Sequence, residues 1–89
     1  MIERSIVNEI IDEERDYQDS KWATDGNPHV HTPTEWLVFI QDYLTEAIHI
    51  ASRNGEPECN KAIMANVRKI TAMGVAAIEQ NGCPRREIL

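Results

Sequence analysis

The chain has 89 residues, a formal net charge of −6, two cysteines and 6% aromatic residues. That length holds one small domain, which buries only about 60% of the surface its unfolded chain exposes, so a second subunit completing the core is expected. The longest apolar runs, residues 36–40 and 72–78, fall far below the ~20 residues a membrane helix needs.

The chain opens with no basic segment followed by an apolar block and a small-residue cleavage site, which predicts no signal peptide and a cytoplasmic location. Cys59 and Cys83 are too few and too scattered for a disulfide scaffold or a zinc site. Charge is spread unevenly: residues 1–50 carry eleven acids against three bases, residues 51–89 four acids against six bases. A duplex-DNA binder shows a broad basic surface, and this chain offers none. Its locally basic C-terminal part suits either one small anionic ligand or simple attraction to the acidic part.

Ile2, Ile6, Val7, Ile10, Ile11, Tyr17 and Trp22 lie at spacings that make one stripe of a helix, uninterrupted by Pro or Gly. Asp12, Glu13, Glu14 and Asp16 crowd its middle and predict a solvated face, with a metal or ligand face as the alternative. Residues 23–33 form a loop: Asp25, Gly26, Asn27 and Pro28 are turn chemistry, with His29 and His31 just behind. Thr32, Pro33 and Glu35 then make a capping box for a second helix. Trp36, Leu37, Ile40, Tyr43, Leu44, Ala47, Ile48 and Ala51 give it a core-facing stripe, and Asn54-Gly55 suits its stop.

A third helix is expected from Pro57 or Glu58 to Asn81-Gly82, with Pro84 barring continuation. Its middle is apolar nearly all round, so helices of a second subunit are expected against it. Ala65, Ala72, Gly74 and Ala76 would let neighbouring backbones approach closely. The predicted fold is all-α: a single domain over residues 1–84, three helices per protomer, assembled into an oligomeric helical bundle, with 85–89 a loose tail.

Asp42, Glu46 and His49 share a stripe on the second helix, with Glu35 a turn above and Arg53 a turn below. Such stacked carboxylates suit Mg²⁺; the alternative is a solvated face. Glu46-x-x-His49 is also the local pattern of di-metal carboxylate bundles, for which Glu13 or Glu14 would have to point inward. Trp22, His29 and His31 suit a planar base and its phosphate, or else a lid on the core beside surface histidines. Neither cysteine has partners for nucleophilic work. Lys61, Arg68 and Lys69 are the only bases in the third helix, and they meet either acids or an anion.

Residues 14–22 (Glu-Arg-Asp-Tyr-Gln-Asp-Ser-Lys-Trp), then His29 and His31, then the capped helix with Trp36-Leu37 and Glu46-Ala47, resemble small phage and bacterial MazG-like proteins. Residues 75–82 resemble the end of short members, so the likeness spans roughly residues 10–82. This resemblance implies an all-α nucleoside triphosphate pyrophosphohydrolase, dimeric or tetrameric, in which paired acids on adjacent helices bind Mg²⁺. It also implies a cytoplasmic location, the host's if phage-encoded. Asp42 and Glu46 match outer acidic positions, but Tyr43, Asn66 and Lys69 stand where further acids are expected. An ammonium repels Mg²⁺ and can neutralise phosphate directly.

Three functions follow. The first is an oligomer that holds or sequesters a phosphorylated nucleotide, linear or cyclic, without hydrolysis and without a metal. Its ligand contacts would be Arg15, Tyr17, Lys21, Trp22, His29, His31, Arg68 and Lys69. The second is a Mg²⁺-dependent pyrophosphohydrolase using Asp42 and Glu46, with Glu13 or Glu14 replacing the lost acids and nucleoside monophosphate and pyrophosphate as products. The third is a helical module whose acidic face binds another protein.

Overall fold

Each predicted helix forms. The computed structural model describes residues 1–23, 29–53 and 58–87, and it consists of α1 (Arg4–Trp22), α2 (Pro33–Arg53) and α3 (Glu58–Asn81), with no strand among the described residues. The turn residues 25–28, the Asn54-Gly55 stop and the last two tail residues lie outside them.

The start of α2 is set by the capping box. Thr32 Oγ1 accepts from the Glu35 backbone N–H at 3.2 Å, and Glu35 Oε1 accepts from the Thr32 backbone N–H at 3.1 Å. The Thr32 backbone donor holds the Glu35 carboxyl below its ordinary value. The end of α3 is set by Gly82, at a φ of +73°, whose N–H closes on the Ile78 carbonyl. An L side chain is strained in that left-handed conformation, so glycine suits the position. Residues 82–87 follow without helix.

Both α1 and α2 pack on α3, and their backbones stay apart from each other over the described residues. They meet through the rings of Trp22 and Trp36, whose centroids lie 5.8 Å apart. Trp36, Met73 and Ala76 form the buried centre, with Trp22, Ile40, Tyr43 and Ala77 packed around it. No described helix is long and apolar enough to cross a membrane.

Two local expectations are corrected. The acids of α1 do not all form a solvated face, because Glu14 is buried, as are Arg15 and Gln18 one turn away. The contact of α1 with α3 is therefore largely polar. Glu14 Oε1 accepts from Arg68 Nε at 2.6 Å, and Gln18 Nε2 donates to the Lys69 carbonyl at 3.2 Å. Arg15 donates to Glu79, Asp19 and Gln18. Among the described residues no buried side-chain nitrogen or oxygen lacks a hydrogen-bond partner, which is what makes this polar seam tolerable.

The second correction concerns the α2 stripe, while α3 is left partly uncovered within one chain, as its all-round apolar middle led one to expect. A Cβ built on Gly74 would meet nothing within 4 Å, so within one chain no backbone approaches there. Met64, Val67 and Ile78 are exposed on the same helix. Leu37, Leu44 and Ile48, expected to face the core from α2, are exposed too.

Candidate functional site

The capping box fixes where α2 begins, and α3 fixes how the chain enters it. Gln80, in the last turn of α3, makes three hydrogen bonds with one amide. Its Oε1 accepts from the His31 backbone N–H at 2.9 Å and from Trp36 Nε1–H at 2.8 Å, and its Nε2 donates to the His29 carbonyl at 3.0 Å. Only this orientation of the amide serves all three partners. Asn81 Nδ2 adds a bond to the His31 carbonyl. Residues 29–31 are thereby fastened beside the indole of Trp36.

The result is an aromatic pocket of about 350 Å³ between the end of α1 and the first half of α2, open to solvent. Met73 and the buried Trp36 line it beneath Trp22, His29, His31, Phe39 and Tyr43. His31 meets Trp36 and Phe39 edge to face, with centroids 5.4 and 4.9 Å apart, and Trp36 and Phe39 meet likewise at 6.1 Å. Such contacts contribute roughly 0.5–1.5 kcal/mol per pair beyond burial, so the walls are mutually braced. Asp42 supplies a carboxylate to the wall, with no hydrogen-bond or ion-pair partner among the described residues.

Asp42 also borders a second, more polar groove of about 450 Å³, lined by Thr45, Glu46, His49, Ile50 and Arg53. The predicted stripe of Asp42, Glu46, His49 and Arg53 is thus one surface. Glu35 does not continue it; its carboxylate is engaged by Thr32, with His31 Nδ1 at 3.6 Å. Among the described residues, no three His, Cys, Asp or Glu side chains are grouped so as to hold a metal ion. Within one chain, the groove does not fit the Mg²⁺ centre that paired acids on adjacent helices would make.

Of the eight expected ligand contacts, Trp22, His29 and His31 come together in the aromatic pocket. Arg15 borders a smaller cavity behind it, with Trp22 and His29, but is already engaged. Its Nε lies 2.9 Å from Glu79 Oε1 and its Nη2 2.9 Å from Asp19 Oδ1. The Glu79 hydrogen bond raises the Arg15 guanidinium above its ordinary value, and the same bond lowers the Glu79 carboxyl. Tyr17 and Lys21 lie outside the pocket, with the Lys21 ammonium 5.8 Å from the Tyr17 ring centroid. Arg68 pairs with Glu14, and Lys69 is half-buried with no ion pair among the described residues.

Phe39, Gln80 and Asn81 were not foreseen as site residues. Phe39 lies three residues after Trp36, a spacing that shares a helix face, so its place was available from periodicity. Nothing local marks Gln80 and Asn81, whose partners lie about 50 residues away. In comparison with known proteins, the chain matches no family model, no curated protein and no solved structure.

Proposed function

We propose that this chain binds a phosphorylated nucleotide, with the base in the aromatic pocket, and holds it without hydrolysis. One observation carries the reading: the aromatic pocket walled by Trp22, His31, Phe39 and Tyr43, with the carboxyl residue Asp42, unpaired among the described residues, in its lining. Its volume of about 350 Å³ sits at the small end of ligand sites, enough for one planar heterocycle and part of its sugar. Aromatic faces bind bases by stacking, roughly 1–3 kcal/mol per base.

The phosphate falls to His29, His31 and Lys69. Lys69 stands one helical turn before Met73 of the pocket floor and carries an ammonium without an ion pair among the described residues. Arg15 and Arg68 already neutralise Glu79, Asp19 and Glu14, so they serve the fold before any ligand. Retention without cleavage is supported by Tyr43, Asn66 and Lys69 standing where the resemblance to pyrophosphohydrolases calls for acids.

The binding unit is a homo-oligomer in this proposal. Ile2 just before α1 and Ile6, Val7 and Ile10 on its first half, with Leu37, Val38, Leu44 and Ile48 on α2, leave more apolar surface exposed than a small monomer normally tolerates. Sedimentation equilibrium should give a mass of two chains or more.

Calorimetric titration of nucleoside mono- and triphosphates in EDTA, followed in parallel by tryptophan fluorescence, tests binding. Saturable binding that quenches emission is expected, and Trp22→Ala and Lys69→Met should each weaken it about tenfold or more. No binding of any nucleotide at millimolar concentration would overturn the proposal. Release of pyrophosphate with added Mg²⁺ would replace retention by hydrolysis.

A further inference from the structure

We propose that the pocket selects guanine among the bases, with Asp42 reading the base's hydrogen-bonding edge; this rests on the nucleotide reading above. Several polar groups around the pocket are already spent, while the Trp22 indole N–H and the Tyr43 hydroxyl, neither of them charged, carry no hydrogen bond among the described residues. Trp36 Nε1–H and the His31 backbone N–H go to Gln80, and the His29 and His31 carbonyls go to Gln80 and Asn81. His31 Nδ1 faces Glu35. The Asp42 carboxylate, exposed and unpaired among the described residues, is the charged acceptor left to meet a ligand.

An ionised carboxylate has two acceptor oxygens and no donor. Guanine presents N1–H and N2–H₂ side by side, two donors directed the same way, which matches those oxygens bidentately. Adenine and cytosine each set a ring-nitrogen lone pair beside their amino group, and uracil sets a carbonyl on either side of its one N–H. Each of these three brings an acceptor against the carboxylate. The edge-to-face contacts among His31, Trp36 and Phe39 already cover part of those ring faces. These contacts leave fewer aromatic faces to surround a point charge, which is what an organic ammonium ion would need.

A well-formed bidentate base contact discriminates by ten- to a hundredfold or so. The exposure of Asp42 puts the expected preference at the low end, about tenfold. The experiment titrates GMP, IMP, AMP, CMP, UMP and tetramethylammonium into the full chain in EDTA, by calorimetry and by tryptophan fluorescence. GMP should bind about tenfold tighter than AMP, CMP or UMP, and IMP, which lacks the N2 amino group, should lose most of that advantage. Asp42→Asn, at an exposed position where the fold makes no use of the charge, should bring the four natural monophosphates within about threefold of one another.

Equal binding of all four by the unaltered chain, or a guanine preference that survives in IMP and in Asp42→Asn, overturns the selectivity and leaves the nucleotide reading standing. Failure of every nucleotide, or tighter binding of tetramethylammonium than of GMP, overturns both.

Discussion

Exchanging Arg68 for methionine should destabilise the fold more than exchanging its partner Glu14 for glutamine, because the two ends of this ion pair sit in different surroundings. The Glu14 side chain is 7% exposed and that of Arg68 is 43% exposed, with Arg68 Nε and Glu14 Oε1 2.6 Å apart. Arg68→Met strands a buried carboxylate with no other donor among the described residues. Breaking a buried pair this way costs about 3–5 kcal/mol, and water around the exposed half of the pair reduces it to about 2 kcal/mol. Glu14→Gln keeps an oxygen for Arg68 Nε and turns an ion pair into a hydrogen bond from the guanidinium to a neutral amide, a loss of about 1 kcal/mol.

In a domain this small those figures lower Tm by roughly 10 °C and 5 °C respectively. Urea unfolding at one fixed protein concentration, which keeps any association constant, gives the same order in the midpoints. Replacing both partners, Glu14→Leu with Arg68→Met, should recover to within about 1 kcal/mol of the parent, since no charge is left buried. A Glu14→Gln loss equal to or larger than that of Arg68→Met, or a double variant as unstable as Arg68→Met alone, would refute the assignment of burial and charge at this seam.

Acid should probe the other end of the seam. Arg15 holds the Glu79 carboxyl below its ordinary value, so this contact adds stability above the unfolded-state value of ~4.3 and loses it as pH falls through the lower folded-state value. The urea midpoint should therefore decline between pH 5 and 3, and less steeply in Glu79→Gln; identical declines would remove Glu79 from the account. Gly74→Ala places a methyl where nothing lies within 4 Å and exchanges a poor helix former for the best, a gain of up to about 1 kcal/mol in thermal unfolding. Destabilisation would mean that a second chain packs against that glycine. Gln80→Met removes three hydrogen bonds and leaves the Trp36 indole N–H without its acceptor, a cost of about 2 kcal/mol. Gln80→Glu should also weaken the site, because a carboxylate keeps the two acceptor contacts but opposes the His29 carbonyl; full stability in Gln80→Glu would refute the amide's dual role.

The helix ends were legible because capping is local. Thr32, Glu35 and Gly82 act within four residues of themselves, so the motif carries its own partners. The seam between α1 and α3 was not legible by hydropathy, since its members are Glu14, Arg15 and Gln18. Counting back from Trp22 in steps of three and four does reach Gln18, Arg15 and Ile11, all buried or half-buried. The apolar stripe starting at Ile2 marks the helix, yet Ile6, Val7 and Ile10 stay exposed within one chain. Periodicity identifies a face, and only the partner helix decides how much of that face is covered.

The same distinction governs the site. The stripe of Asp42, Glu46 and His49 follows from helical geometry alone, and all three do share a groove. That Asp42 also enters an aromatic pocket depends on where residues 29–31 are fastened, which Gln80 and Asn81 decide from the far end of the chain. A carboxylate in an open groove of polar residues attracts cations and water. Beside the Trp36 ring, whose N–H is already committed to Gln80, it becomes a directional acceptor, with a low-dielectric wall on one side to strengthen any bond it makes. The chemistry available to Asp42 is thus set less by its own helix than by the loop that Gln80 pins against the Trp36 indole. Loosening that loop should therefore reduce base discrimination before it reduces helix content.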